Sequence, residues 1–305
     1  MSRFDRESIT SFLGEDPELS RHLQVVDETG STNEDLKVLA LQEAPEWTIL
    51  AAASQTAGKG SRGRSWSSPK GSSLSFSILL RPRISPEEAS MVTLVMALGI
   101  AEGLERVVDI TPRGGSGQEV SVSTDTDMQP VVDITRSYCE GRQVNITQEF
   151  GIKWPNDIVR NKKKICGILT EMPVYTPDSC CIIVGAGINV NMESFPEELQ
   201  DKATSLKMEF GRPFDRGQVL AEVLKGFYDR YRTFLETADF SALREEYEKR
   251  LLNKGEEVRL LEDHREITGL GLGINEKGEL LVNAGGRLRC VRAGEVSVRG
   301  LYTYA

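Results

Sequence analysis

Histidine is scarce. The 305 residues include two, His22 and His264, and both read as surface residues. A catalytic triad built on imidazole is therefore not expected. Cys139, Cys166, Cys180, Cys181 and Cys290 form no C-x-x-C pair, which with so few histidines argues against a zinc site, and no metal-ligating residue is assigned. Their odd number suits a reducing, cytoplasmic setting. No run of about 18 apolar residues occurs, so no membrane-spanning helix is expected. Residues 1–12 carry acids and lack the apolar segment of a secretory signal. Positive charge is in deficit too: the net charge is −9, which argues against a nucleic-acid backbone as the main ligand. Any chemistry must run on lysine, arginine, aspartate and backbone groups.

What is present begins with bulk. With 39% apolar and 27% charged residues, the chain suits one large globular domain, alone or with a small second one. The densest stretch is Gln55-Thr56-Ala57-Gly58-Lys59-Gly60-Ser61-Arg62-Gly63-Arg64-Ser65-Trp66. Three glycines and three cations fall within seven positions of it. Apolar runs at 49–53 and 74–80 predict strands that hold the loop at both ends. Glycines let backbone close on a ligand, and free N–H groups beside cations favour an anion. By itself the loop reads as a mobile anion clamp or as a solvated basic loop.

Along the chain, residues 1–20 read as a short, poorly fixed lead, too few for a helix-turn-helix domain, and 22–27 as a strand. Ser31 stands three residues before Glu34, the capping-box spacing, ahead of a helix with Leu36, Leu39 and Ala40 on one face. A helix is predicted from Pro86 to about Val107. Residues 111–148 lose all periodicity and read as a flexible insertion, with a strand returning at 144–150. Pro155 ends a strand at Lys153-Trp154-Pro155-Asn156-Asp157, and Lys164 begins the return strand of a hairpin. A buried strand from Cys180 runs into Gly185-Ala186-Gly187-Ile188-Asn189, where a buried asparagine needs partners. Asp215 caps a long helix bearing Val219, Leu220, Val223, Leu224, Phe227, Tyr231, Phe234 and Leu235, and a second helix spans 240–252. From residue 253 the period becomes two. Val258/Leu260, Ile267, Leu280/Val282, Leu288/Cys290 and Val296/Val298 predict five short strands of a small closed barrel. Two domains are thus expected, 1–252 and 253–305.

The ordered set of Ser31-Thr32-Asn33, the Gly/Arg loop, Lys153-Trp-Pro-Asn-Asp157 with Lys164, and Gly185-Ala-Gly-Ile-Asn189 resembles the biotin–protein ligases. The resemblance covers roughly residues 22 to 300, and Ala293-Gly-Glu-Val-Ser-Val-Arg299 is similar to the end of that family's small barrel. It implies an α+β fold: a mixed β-sheet flanked by helices, related to class II aminoacyl-tRNA synthetases, then an SH3-like β-barrel. It implies a reaction in which the carboxylate of biotin attacks the α-phosphate of ATP, with Mg²⁺ on the triphosphate. A lysine of a carboxylase biotin acceptor domain then takes biotin from biotinyl-5′-AMP. Ser31, Thr32, Asn33 and Gln55 would hold the ureido end, with Gly58, Lys59, Gly60 and Ser61 closing over it and Trp66 beside it. Arg62 and Arg64 would face the phosphates. Lys164 matches the catalytic lysine. Asn156, Asp157 and Asn189 would line the nucleotide side, Gly167 and Gly187 would also belong to the binding site, and Asp157 is a candidate base for the incoming amine. Monomer and homodimer both stay open, and nucleic acid and membrane are not expected partners.

The chain departs from the family pattern in its loop. Many members read Gly-Arg-Gly-Arg-x-Gly-Arg, whereas Lys59 and Ser61 stand here. Lys59 keeps charge but loses the planar fork, and Ser61 removes a cation, which predicts faster loss of the adenylate. The alternative readings are a lipoate or octanoate ligase on the same fold, a non-catalytic biotin-binding regulator, and a biotin-responsive DNA-binding repressor. The short lead and acidic charge disfavour the last.

Overall fold

The computed structural model describes residues 4–14, 17–67, 69–110, 138–139, 142–143, 150–176, 179–262, 265–293 and 297–300. A seven-stranded mixed sheet forms its body. The spatial order is β1 (Leu23–Val26), β2 (Thr48–Ala52), β3 (Ser73–Leu80), β9 (Ser179–Asn189), β8 (Lys163–Thr176), β7 (Asp157–Arg160) and β6 (Gly151–Lys153). β1 and β2 are parallel, and the other neighbours are antiparallel. β4 (Tyr138–Cys139) and β5 (Arg142–Gln143) make a separate two-stranded ladder. The rest of the expected insertion, and its return strand up to 149, lie outside the described residues, as does His264.

Alternation along β3 separates two faces. Leu74, Phe76, Ile78 and Leu80 join the main core, to which α5 (Val92–Ile110) and α7 (Arg216–Thr237) contribute. These two helices cross closely because glycines leave room. A Cβ on Gly99 would lie 2.5 Å from Phe227 Cα, and one on Gly226 2.5 Å from the Gly99 carbonyl. On the opposite face α3 (Thr32–Leu41) covers Leu50, Leu79, Cys181 and Ile183 with Leu36 and Ala40. Beyond α3 the side chains shrink. Ser73, Ser75 and Ser77 pair with Asn189, Gly187 and Gly185 of β9, and the last two glycines pair with Gly167 and Leu169 of β8. Volume is missing there from an otherwise filled sheet.

Several expectations are corrected. The lead forms α1 (Arg6–Leu13) and α2 (Pro17–Arg21), and buries Ile9, Leu13 and Leu19. Asp5 caps α1 by accepting from Ser8 N–H. The helix expected from Pro86 is two helices, α4 (Pro86–Ala89) and α5. At the break Ser90 Oγ donates to the Glu87 carbonyl, a local bond that competes with helix continuation. The helix expected over 240–252 is only α8 (Arg244–Arg250), and α6 (Leu206–Phe210) went unforeseen. Leu235 is 40% exposed, so the apolar stripe of α7 stops at Phe234. His22 is half-buried. The cap of α7 is as expected, with Asp215 accepting from Gln218 N–H at 3.0 Å. Asp215→Ala is expected to lower stability by about 1 kcal/mol, read as a shift in the urea midpoint at unchanged slope.

The C-terminal part is a five-stranded antiparallel sheet ordered β13 (Arg287–Val291), β12 (Leu280–Ala284), β11 (Arg265–Ile274), β10 (Glu257–Glu262), β14 (Ser297–Gly300). The described ladders do not join β13 to β14, so closure into a barrel is not seen among the described residues. Leu288 and Cys290, expected inside, are exposed, because their alternate on the edge strand, Val291, takes the inner place. This sheet is fastened to the large one at Trp154. The Trp154 backbone N–H donates to Asn253 Oδ1 at 2.8 Å and its indole N–H to the Gly278 carbonyl at 3.0 Å.

Candidate functional site

The missing volume on the serine–glycine face is a cavity of about 270 Å³. It is bounded by the N-terminus of α3, the loop between β2 and β3, the facing parts of β8 and β9, and the segment 192–203. Ser31, Thr32, Asn33, Gln55, Lys59, Gly60, Ser61, Arg64, Trp66, Asn156, Lys164, Gly167, Gly187 and Asn189 all line it. Two residues singled out in the sequence do not. Gly58 is packed beneath the loop, where a Cβ would meet the Trp66 carbonyl at 2.5 Å, and Asp157 stands behind Lys164. The Arg62 side chain lies outside the described residues.

At the deep end, Ser31, Thr32 and Asn33 are 5%, 3% and 5% exposed. The expected capping box is not formed. Ser31 ends α3 through its carbonyl, which accepts from Asp35 N–H at 3.0 Å, and its side chain makes no cap bond. Glu34 is drawn instead to Lys37 at 2.7 Å and Lys59 at 2.8 Å. Hydrogen bonds from Lys37 and then Lys59 hold the Glu34 carboxyl below its ordinary range. Gln55 Oε1 accepts from Thr32 N–H at 2.9 Å, so the first residue of the loop is tied to the start of α3.

The loop is a narrow hairpin. Gly60 N–H donates to the Arg64 carbonyl at 2.7 Å and Trp66 N–H to the Gly58 carbonyl at 2.8 Å. At its tip the Arg64 guanidinium donates to Ser61 Oγ at 3.1 Å, and Asn156 Nδ2 reaches the same oxygen at 3.5 Å. Trp66 lies on the glycine floor. A Cβ on Gly187 would come within 2.2 Å of its Nε1, and one on Gly167 within 3.2 Å of its ring. These glycines are needed for close approach, not for an unusual backbone angle.

Lys164 Nζ sits 2.5 Å from Asp157 Oδ1 and 5.5 Å from the centre of the Trp66 ring. Its backbone is also engaged: Lys164 N–H donates to the Lys202 carbonyl and its own carbonyl accepts from Thr204 N–H. Asn189 Nδ2 donates to the Thr204 carbonyl at 3.0 Å, which supplies the partner its burial demanded. Burial pushes the neighbouring Cys166 thiol up, against the pull of Lys164, so it is no nucleophile. Lys59, Arg64, Lys164 and Lys202 line the cavity, and among the described residues no carboxylate does. That wall suits anions and does not fit a protein-held Mg²⁺, which would enter on phosphate oxygens.

Sequence reasoning missed Ser77, Glu171 and the wall at 192–203, and quoted Gly185 in its motif without giving it a place in the site. Ser77 is fully buried at the deep end, and Glu171 reaches Asn33 Nδ2 at 2.8 Å. Gly185 faces Asn33, and Met192, Phe195, Leu199 and Ala203 form an apolar wall. The serines alternating with apolar residues in β3 were the available signal for Ser77. The wall had none, since it lies on irregular chain.

A cleft lined by Lys59, Arg64, Lys164 and Lys202 that ends in a buried polar pocket defines a ligand-activating site. The chain belongs to the Biotin/lipoate A/B protein ligase family, which residues 25–189 match, and residues 255–299 match the Biotin protein ligase C terminal domain. It is 32% identical over 92% of its length to Bifunctional ligase/repressor BirA of Bacillus spizizenii, covering 75% of that protein. It is 28% identical to Biotin--[acetyl-CoA-carboxylase] ligase of Mycobacterium tuberculosis, over 90% of this chain and 88% of that one. Among solved structures, Biotin protein ligase from Aquifex aeolicus in complex with biotin and ATP superposes with a TM-score of 0.68 at 32% identity, over 92% of this chain and 99% of that one. No helix among the described residues is long and apolar enough to cross a membrane.

Proposed function

We propose that this chain is a biotin–protein ligase. It joins biotin and ATP into biotinyl-5′-AMP with release of diphosphate, then transfers biotin to a lysine of a carboxylase biotin acceptor domain. The observation that carries the reading is the polarity sequence along one cavity: buried Thr32, Asn33 and Ser77 at the deep end, Trp66 over a glycine floor in the middle, and Lys164 with Arg64 at the far end. A ureido ring fills a polar end, whereas the dithiolane of lipoate or the tail of octanoate would leave those groups without partners. The valeryl chain crosses the floor. Its carboxylate meets the α-phosphate of MgATP beside Lys164, whose fixed charge offsets the repulsion of two anions and the charge growing on the phosphate oxygens. The adenine ring takes the apolar wall at 192–203. Loss of diphosphate leaves a mixed anhydride, which the acceptor amine opens with release of AMP.

Incubation with MgATP, biotin and an acceptor domain, read by mass on the acceptor lysine, tests the reading. A biotinyl mass increment supports it, and an increment with lipoate but none with biotin would replace it with the lipoate reading.

Ser61 has a kinetic consequence under this reading. Its hydroxyl anchors Arg64 but brings no charge to the cavity mouth. Ser61→Arg is expected to slow release of the preformed adenylate about tenfold, by adding a charge-assisted hydrogen bond to the phosphate. Equal release rates from the two proteins, measured by filter retention of labelled adenylate, would refute this.

A further inference from the structure

The Asn33 side chain is held at both ends of its amide. Nδ2 donates to Glu171 Oε2 at 2.8 Å and to the Leu169 carbonyl at 3.3 Å, while Oδ1 lies 2.6 Å from Ser77 Oγ. Turning the amide over would set its oxygen against a carboxylate and a carbonyl. Lys37 lies 2.6 Å from the other Glu171 oxygen, so the carboxylate is held at both ends. Gln55 is fixed in the same sense, because Oε1 accepts from Thr32 N–H.

Two hydroxyls stand between these two amide oxygens. Thr32 Oγ1 is 3.1 Å from Gln55 Oε1 and 2.7 Å from Ser77 Oγ, and Ser77 Oγ is in turn beside Asn33 Oδ1. The chain therefore has three contacts and two hydroxyl hydrogens to fill them. One contact always lacks a hydrogen. A ligand N–H arriving at Asn33 Oδ1 gives that oxygen a donor of its own, so the Ser77 hydrogen can turn to Thr32 and the Thr32 hydrogen to Gln55 without leaving an amide oxygen unpaired. A ligand acceptor at the same place deepens the shortage.

We propose that Glu171 is a positioning residue that sets the hydrogen-bond polarity of the deep pocket, so that the pocket selects a ligand with an N–H group facing Asn33. The inference rests on the reading of this cavity as the seat of the ureido ring. Glu171 touches no ligand in this account. It acts by denying Asn33 the flipped amide.

The test is equilibrium binding of biotin and of its two cyclic carbamate isomers, each with one ureido N–H replaced by oxygen, to the full chain. Wild type is compared with Glu171→Gln and Asn33→Ala. In wild type the isomer with oxygen toward Asn33 is expected to bind about 10- to 100-fold more weakly than biotin, because two acceptors then face each other. In Glu171→Gln the amide is free to turn. Biotin should bind about tenfold more weakly, and the carbamate penalty should shrink to about threefold or less. General loosening of the pocket would weaken all three ligands alike and leave the penalty in place, which overturns the proposal. If the glutamine variant does not fold, Glu171→Asp, which withdraws the carboxylate by one methylene, reads the same two ratios, and unchanged ratios overturn the proposal. Asn33→Ala separates the two levels. If it binds biotin as wild type does, the reading of the cavity falls together with the proposal. If it loses biotin while Glu171→Gln behaves as wild type, only the role of Glu171 falls.

Discussion

Replacing Lys164 by alanine is expected to slow adenylate formation by about 10³-fold, the loss typical of a group aimed at developing charge. The ammonium is fixed from several sides: Asp157 at 2.5 Å, the Trp66 ring at 5.5 Å, and Gly167, whose missing Cβ leaves it room. Such a charge needs no reorganisation during reaction, which is why its removal should cost rate more than binding. Biotin affinity should change little, because the deep pocket proposed to seat the ureido ring lies at the other end of the cavity. Single-turnover formation of adenylate and separate biotin titration check both halves. Stability is a third readout. Asp157 is 7% exposed and loses the Lys164 ion pair in the variant, so a lowered melting temperature should accompany the slow rate. Lys164→Arg restores charge and should restore stability better than rate, because the planar guanidinium cannot occupy the space above Gly167 in the same way. A Lys164→Ala protein that forms adenylate at the wild-type rate would remove this residue from the chemistry.

The second large effect is expected at Gly185. A Cβ there would lie 2.0 Å from Asn33 Oδ1 and 3.0 Å from Ser77 Oγ, inside the pair that shapes the deep pocket. The strand continues normally on both sides, so Gly185→Ala should fold, with about 1–3 kcal/mol lost to overpacking. Displacing Asn33 should raise the KM for biotin about 100-fold while the KM for ATP stays near wild type. Equal rises in both would mean that the strand had moved as a whole, and the assignment of the deep pocket would fail.

Much of this arrangement was legible because the chemistry is packed into short stretches. The β2–loop–β3 unit followed from apolar runs flanking glycines and cations, and the hairpin at Lys164 from Pro155 and a basic turn. Both depend on local backbone rules, which act within a few residues. The misreadings share another cause. α1 and α2 have only a few apolar residues, which become core because α7 and β1 lie nearby. The capping box at Ser31 satisfied every local rule, yet Glu34 went to Lys37 and Lys59, the second of them 25 residues further along the chain. Ser77 and Glu171 belong to the site because register sets Ser77 across from Gly185 and Glu171 across from Ile183. Register is decided by the whole sheet. Leu288 misled in the opposite way: alternation marked it as inward, but an edge strand has less core to cover.

The fastening at Trp154 bears on how such a chain can be recombined. Residue 253 looks like a seam in composition, and a cassette exchange would be cut there. Yet Asn253 accepts the Trp154 N–H, Leu252 N–H donates to the Ile152 carbonyl, and Phe240 N–H to the Glu276 carbonyl. The tryptophan opens the turn that carries Asn156 and leads into Asp157 of β7. A C-terminal sheet grafted from a relative would therefore have to bring a matching carbonyl at 278 and an amide at 253, or the graft would unseat the turn beside the lysine. The unit of inheritance is the turn together with its distant clasp, and it does not coincide with the boundary visible in composition.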